Sequence, residues 1–168
     1  MNVNETPKVL KVTLNMGLGE SGERYTKAEK LLGEIAGQKP VRRLAHQTNR
    51  DFKIRKNEPI GLKVTLRKQK ALAFLKRALE ARAHTIPSSC FDERGNLSFG
   101  IKEHIDLPGV RYDPGVGIYG LDVCISLGKS GNRIRERRVQ QKRIKAGHHM
   151  TREESMEFIK ESFGVKIA

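Results

Sequence analysis

Residues Lys8–Asn15 read K-V-L-K-V-T-L-N, and this octet decides the fold class. Leu10, Val12 and Leu14 alternate with Lys11, Thr13 and Asn15, so a strand puts apolar groups on one face and polar groups on the other. Such a strand is half-buried and needs a covering layer. After a glycine-rich turn, Ala28, Leu31, Leu32 and Ile35 recur at helical spacing, with Gly37 placed to end the helix. Val41–Ala45 predicts a short second strand, followed by a polar loop from His46 to Pro59. Leu62, Val64 and Leu66 alternate against Lys63, Thr65 and Arg67 as a third strand, and Ala71, Leu72, Leu75, Ala78 and Leu79 mark a second helix over Lys68–Ala83. Pro87, Asp92–Asn96 and Pro108–Gly117 punctuate the middle around a short strand near Leu97–Ile101. Tyr119, Leu121, Val123, Ile125 and Leu127 alternate as a further strand. Thr151-Arg152-Glu153-Glu154 is a capping box opening a last helix, with Met156, Ile159 and Phe163 inward and Gly164 as its stop. Strands and helices in a non-repeating order predict one α+β domain over residues 1–168, with a largely antiparallel sheet of about five strands and helices on one face.

The chain has 168 residues, 33 of them Lys or Arg and 19 Asp or Glu, a formal net charge of +14. That length can bury a substantial core. The longest apolar stretch, Ile118–Leu127, is interrupted by Asp122 and falls well short of the ~20 residues of a membrane span. Met1-Asn2-Val3-Asn4-Glu5 has neither a basic start nor an apolar core, so no secretory signal is expected. Cys90 and Cys124 stand far apart and outside any metal-binding spacing, which suits a reducing cytosol.

The charge is concentrated. Val41–Lys70 holds ten basic residues against Asp51 and Glu58, and Lys129–His149 holds eight against Glu136. The rest of the chain is close to neutral. A single charge run is most often solvated surface, but two on a neutral body raise self-repulsion that an anionic partner relieves. Nucleic acid fits this better than anionic membrane, because neither window carries a clear apolar face. The second window is expected to be an extended loop whose order in the free protein stays open.

The polar strand positions carry the same sense. Lys11, Thr13 and Asn15, with Lys63, Thr65 and Arg67, would form an open face of cations, hydroxyls and an amide. An ordinary solvated sheet face has the same pattern, so pattern alone leaves both open. The face lacks aromatic residues, so it is no stacking platform for splayed single strands; it suits phosphates, 2′-hydroxyls and minor-groove edges of a structured RNA.

Other motifs carry less. Gly17-Leu18-Gly19-Glu20-Ser21-Gly22 is a literal G-x-G-x-x-G between a strand and a helix. Glu20 and Glu23 oppose a pyrophosphate there, and the ribose-binding acid expected ~20 residues later is missing from Lys39–Arg43. Gly128-Lys129-Ser130 lacks the earlier glycine of a phosphate loop, since Val123 stands in its place. His148-His149 has no nearby Cys or carboxylate to complete a metal site. No catalytic constellation, cofactor site or metal site emerges, so the expectation is a binding protein and not an enzyme.

Four ordered blocks then carry a resemblance. Pro7–Gly19, Ala36–Pro40, Phe52–Arg55 leading to Pro59–Arg67, and Asp92–Asn96 with Tyr119–Val123 resemble the universal large-subunit ribosomal protein five family over essentially the whole chain. Absence of a leading helix and presence of the 129–149 insertion resemble its archaeal and eukaryotic branch. The resemblance implies a cytoplasmic, ribosome-associated protein that binds 5S ribosomal RNA in the central protuberance beside ribosomal protein eighteen, monomeric outside the ribosome and with no membrane partner. It assigns 5S contact to Asn15, Gln38 and Thr65, with Lys11, Thr13, Lys39, Lys63 and Arg67 as neighbours. It assigns contact with the elbow of peptidyl-site transfer RNA to the loop His46, Gln47, Thr48, Asn49, Arg50, Phe52, Lys53, Ile54, Arg55 and Lys56. Arg133, Arg135, Arg137, Arg138, Lys142, Arg143 and Lys145 are expected to meet further RNA, either large-subunit ribosomal RNA or the same transfer RNA.

Overall fold

The computed structural model of the chain describes residues 6–19 and 22–168. In order, it forms β1 (Pro7–Gly17), α1 (Glu23–Ala36), β2 (Val41–Leu44), β3 (Pro59–Leu66), α2 (Lys68–Ala81), β4 (Thr85–Ile86), β5 (Leu97–Ile101), β6 (Leu121–Lys129), α3 (Arg133–Glu136), α4 (Arg152–Phe163) and β7 (Lys166–Ile167). Five strands make one sheet in the order β2-β3-β1-β6-β5, and β4 pairs in parallel with β7 as a separate ribbon. The chain thus adopts the expected α+β class with a five-stranded antiparallel sheet.

The chain packs as two compact units. One comprises Thr13–Leu66 and Gly100–Val123; the other comprises residues 6–12 with Arg67–Phe99 and Cys124–Ala168. In the first, Leu14, Met16, Leu32, Leu62 and Val64 are essentially inaccessible to solvent. These are the alternating residues of β1 and β3 and the inward stripe of α1. Helix α1 ends as its sequence dictates, with Gly37 in the left-handed conformation at φ 59°. Tyr25 is buried and its hydroxyl donates to the Gly61 carbonyl at 3.2 Å, tying α1 to β3. Desolvation, and then Glu29, push the Tyr25 phenol above its ordinary pKa, so the hydroxyl keeps its proton and remains a donor. Within the G-x-G-x-x-G run, Glu20 and Ser21 lie outside the described residues. Glu23 occupies the first turn of α1, where a pyrophosphate would need to sit, and pairs with Lys27 at 2.8 Å.

In the second unit the core is Phe74, Leu75, Leu79, Ile86, Leu97, Ile125 and Ile159. Ala83 and His84 both adopt positive φ, and the His84 N–H donates to the Leu79 carbonyl at 2.9 Å, turning the chain out of α2 into β4. The predicted capping box of α4 is complete: the Glu154 N–H donates to Thr151 Oγ1, and the Thr151 N–H donates to Glu154 Oε2. Gly164 closes the helix at φ 65°.

Local differences from expectation have local causes. Helix α2 stops at Ala81 because the left-handed turn at Ala83–His84 intervenes. Strand β6 begins at Leu121, because the Tyr119 carbonyl accepts from the His104 N–H and leaves the ladder. On α4, Ser155 and Ile159 are the buried residues, while Met156 and Phe163 are half-buried. The Ser155 hydroxyl donates to the Gly95 carbonyl at 2.9 Å, which satisfies its burial. The basic segment, expected as an extended loop, contains the short helix α3 and a further helical turn at Ala146–His148.

Candidate nucleic-acid interface

In the unit of Thr13–Leu66 and Gly100–Val123, strand alternation sets the polar positions. Thr13, Lys63 and Thr65 are half-buried and Asn15 is exposed, each between fully buried neighbours. Gln38 follows the glycine that ends α1, and its amide donates to the Thr65 carbonyl at 3.5 Å. This hydrogen bond brings Gln38 onto the backbone of Thr65. Asn15 has a neighbour the sequence did not single out: its amide donates to Asp122 Oδ2 on β6 at 3.5 Å. A carboxylate at this position repels phosphate and accepts from hydroxyl or amino groups, so this patch is suited to sugar and base edges.

All four residues of β2 are exposed. Arg42 is nonetheless engaged, forking onto Glu29 through Nε at 3.3 Å and Nη2 at 2.9 Å, with its guanidinium over the Tyr25 ring. The loop after β2 holds its shape through its own backbone and short side chains. Asn49 and Ile54 exchange both backbone hydrogen bonds, at 2.8 and 2.9 Å. Asn49 Oδ1 accepts from the Asp51 and Phe52 N–H groups, and Thr48 Oγ1 accepts from the Lys56 N–H. Glu58 Oε2 accepts from the Arg55 N–H. Lys53 and Asn57 supply the positive φ values the turns require, which Asn tolerates better than most residues. Thr48, Asn49 and the half-buried Ile54 thus shape the loop. His46, Gln47, Arg50, Phe52, Lys53, Arg55 and Lys56 are exposed, with Phe52 72% accessible. Among the described residues, Arg50, Lys53, Arg55 and Lys56 have no carboxylate within salt-bridge distance.

Lys11 and Arg67 fall in the other unit, where both line a cleft of about 440 Å³. Lys8, Arg94, Arg133, Arg135, His148 and His149 line it as well, with Glu136 as its one acid. The basic segment forms one wall and is fastened at several points. Lys129, only 10% exposed, pairs with Glu154 at 2.8 Å. That hydrogen bond holds the Glu154 carboxyl below the ordinary glutamate pKa, against the opposing effect of burial. His148 Nε2 lies 2.8 Å from the Ser130 carbonyl, and Lys8 Nζ donates to Ser130 Oγ at 3.1 Å. Of the seven expected contacts in this segment, Arg133 and Arg135 line the cleft. Arg137 is half-buried and donates to the Gln140 carbonyl, whereas Arg138, Lys142, Arg143 and Lys145 are exposed away from the lining. Sequence reasoning missed Lys8 because it is in phase with Leu10 and Val12, the apolar side of the octet. Arg94 was legible only as a turn residue.

Among the described residues no cluster of three or more His, Cys, Asp or Glu is placed to hold a metal, and no helix is long and apolar enough to cross a membrane. Comparison with known proteins agrees with the four sequence blocks. Residues 59–158 match the family model for the C-terminus of the ribosomal L5 family, and residues 2–55 match the model described as Ribosomal protein L5. The chain is 49% identical over 167 residues to the large ribosomal subunit protein uL5 of Methanosphaera stadtmanae, covering 99% of both. It is 53% identical over 160 residues to that of Aeropyrum pernix, covering 95% of this chain and 83% of the relative. With the protein of the same name from Methanococcus aeolicus it shares 49% identity over 164 residues, 96% of this chain and 91% of the other. Two models spanning nearly the whole sequence and archaeal relatives near half identity lead to one conclusion: the chain belongs to the ribosomal protein L5 family, in its archaeal-type branch.

Proposed function

We propose that this chain anchors 5S ribosomal RNA in the central protuberance and reaches peptidyl-site transfer RNA with the loop after β2. As a member of its family the chain is a structural, non-enzymatic component of the large ribosomal subunit, RNA-binding and at work in translation on the cytoplasmic ribosome. In the finer reading, Lys11, Thr13, Asn15, Gln38, Lys39, Lys63, Thr65 and Arg67 contact 5S RNA. The exposed residues among His46–Lys56 contact the transfer RNA, and the basic segment neutralises further RNA phosphates. Ribosomal protein eighteen is its neighbour on 5S RNA, and the free protein is a monomer in a single domain.

The observation that carries the reading is the meeting of Gln38 with Thr65, beside Lys63 on the same strand. A side-chain amide held on the backbone of the strand whose polar positions are Lys63 and Thr65 suits 2′-hydroxyls and phosphates of a folded RNA, which proteins recognise by shape and backbone as much as by sequence. The matching test compares 5S RNA with a random duplex of equal length at physiological salt. Tighter binding to 5S RNA is expected, and equal binding would replace this function with that of a general nucleic-acid module. Asn15→Ala and Thr65→Val should weaken 5S binding with little change in its salt dependence. Lys63→Ala should weaken it and also lower the salt slope by about one. If both kinds of substitution acted alike, the division into shape-reading and electrostatic contacts would be wrong.

A further inference from the structure

We propose that Asp122 is a specificity-determining residue, one that takes the 2-amino group of a guanine in the minor groove of the bound RNA. This rests on the RNA-binding function above and names a chemical group which that function reads. Asp122 stands at an outward position of β6, exposed between the buried Leu121 and Val123. Among the described residues no lysine or arginine lies within salt-bridge distance of it. Its Oδ2 accepts from the Asn15 amide at 3.5 Å, a long hydrogen bond that leaves the carboxylate free to take further donors. Its Oδ1 lies beside Gly100, an exposed position of β5 where even an added Cβ would stay 3.7 Å away. The neighbouring strand therefore puts no side chain over this oxygen.

The chemistry of the position is unlike that of the residues around it in sequence logic. Thr13, Asn15, Lys63 and Thr65, the polar strand positions of the same unit, all carry donors. An ionised carboxylate carries acceptors only and repels phosphate. An RNA seated here satisfies Asp122 by presenting a donor, and one that presents none leaves a desolvated carboxylate unpaired.

Few groups on a folded RNA qualify. The A-form major groove is too deep and narrow for side chains, whereas the minor groove is wide and shallow and meets a sheet face well. In the minor groove an A·U pair shows base acceptors only, and a G·C pair adds the guanine 2-amino donor. The 2′-hydroxyl also donates, but it is present at every nucleotide and carries no sequence information. Guanine is thus the base this carboxylate favours, and adenine the one it rejects.

The test is inosine interference with the full chain. Inosine differs from guanosine by lacking the 2-amino group, so 5S RNA carrying sparse random inosine is partitioned by binding and scored position by position. The native chain is expected to exclude inosine about tenfold at a particular guanosine. Asp122→Ala should erase that interference and leave the rest of the pattern in place. It should weaken 5S binding about tenfold yet hold a random duplex at least as tightly as the native chain, because a negative charge has been removed. Gly100→Val keeps the carboxylate but adds bulk beside Oδ1, and should weaken interference at the same guanosine. A purely structural role for Asp122 would lower affinity for every RNA and leave the interference pattern unchanged. That result, or interference that survives both substitutions, or none in the native chain, would overturn the proposal while the preference for 5S RNA still stood. A native chain that binds 5S RNA no better than a random duplex is a different result, and it would remove the function proposed above together with this residue's role in it.

Discussion

Val41–Lys70 and Lys129–His149 carry nearly the same excess charge, yet they hold it in different ways. The first window runs through two strands and a loop whose shape is closed by the Asn49–Ile54 pair and by Asn49, Thr48 and Glu58 side chains. Arg50, Lys53, Arg55, Lys56 and Phe52 are exposed on that loop. The second is fastened by side chains to residues remote in sequence, Glu154 and Lys8, and its α3 arginines line a concave wall. Composition sets the class of partner for both. Local hydrogen bonding decides whether the charge reaches out or receives.

The sharpest way to break the contrast is to remove the support beneath the clasp. Gly95 adopts φ +74°, and a Cβ there would collide with Ser155 Oγ and come 3.0 Å from the Thr151 carbonyl. Gly95→Val should cost about 3 kcal/mol or more, combining backbone strain with the loss of the buried Ser155 bond. Chemical denaturation would detect it, and a near-native midpoint would show that α4 is not anchored this way. Next in size is neutralisation of the loop after β2. Arg50, Lys53, Arg55 and Lys56 changed together to Gln should lower the salt slope of transfer RNA binding by roughly 3 and weaken binding about a hundredfold at low salt. The thermal midpoint should hardly move, because these side chains have no salt-bridge partner to lose among the described residues.

Smaller effects separate clamp from charge. Lys129→Met should leave global stability within about 1 kcal/mol, since its partner is partly exposed and screened. It should speed amide exchange at Ser130–His148 while leaving Asn49–Ile54 unchanged. The same clamp is sensitive to acid. Glu154 has its carboxyl pKa depressed in the folded chain, so its contribution is complete above the ordinary glutamate value of about 4.3 and is lost as pH falls through the lower folded value. Backbone amide shifts of Ser130–His148 should therefore change below pH ~4 in the native chain. The change at Ser130, beside the clamp, should shrink in Lys129→Met; an undiminished change there would assign the transition to another group, such as the Glu136 carboxylate of the same segment.

Much of the fold was legible because its signals are local. The K-V-L-K-V-T-L-N octet became β1, and Gly37 and Gly164 stop helices at positive φ as their positions imply. The Thr151–Glu154 box caps α4 through contacts four residues wide. What escaped depends on partners far along the chain. β4 and β7 are two residues each and pair across Thr85 and Lys166, with no periodicity to announce either. Asp122 was legible as an outward strand residue, but its meeting with Asn15 is set by which strands are neighbours. The clasp was hidden for the same reason: Lys129, Ser130 and His148 read as loop until Glu154 and Lys8 are brought to them. At the sheet positions the sequence named the right side of the strand, because alternation alone separates Thr13 and Asn15 from Leu14.

The central claim is that the chain recognises a particular folded RNA through shape-reading contacts laid over a strong electrostatic term. The most direct measurement is equilibrium binding to 5S RNA and to an unrelated structured RNA of equal length, across a range of salt. Both affinities should fall steeply, each neutralised phosphate contributing about −0.7 to −0.9 to the logarithmic slope, and the preference for 5S RNA should survive at every salt concentration. A salt-independent affinity, or two RNAs bound equally throughout, would contradict it.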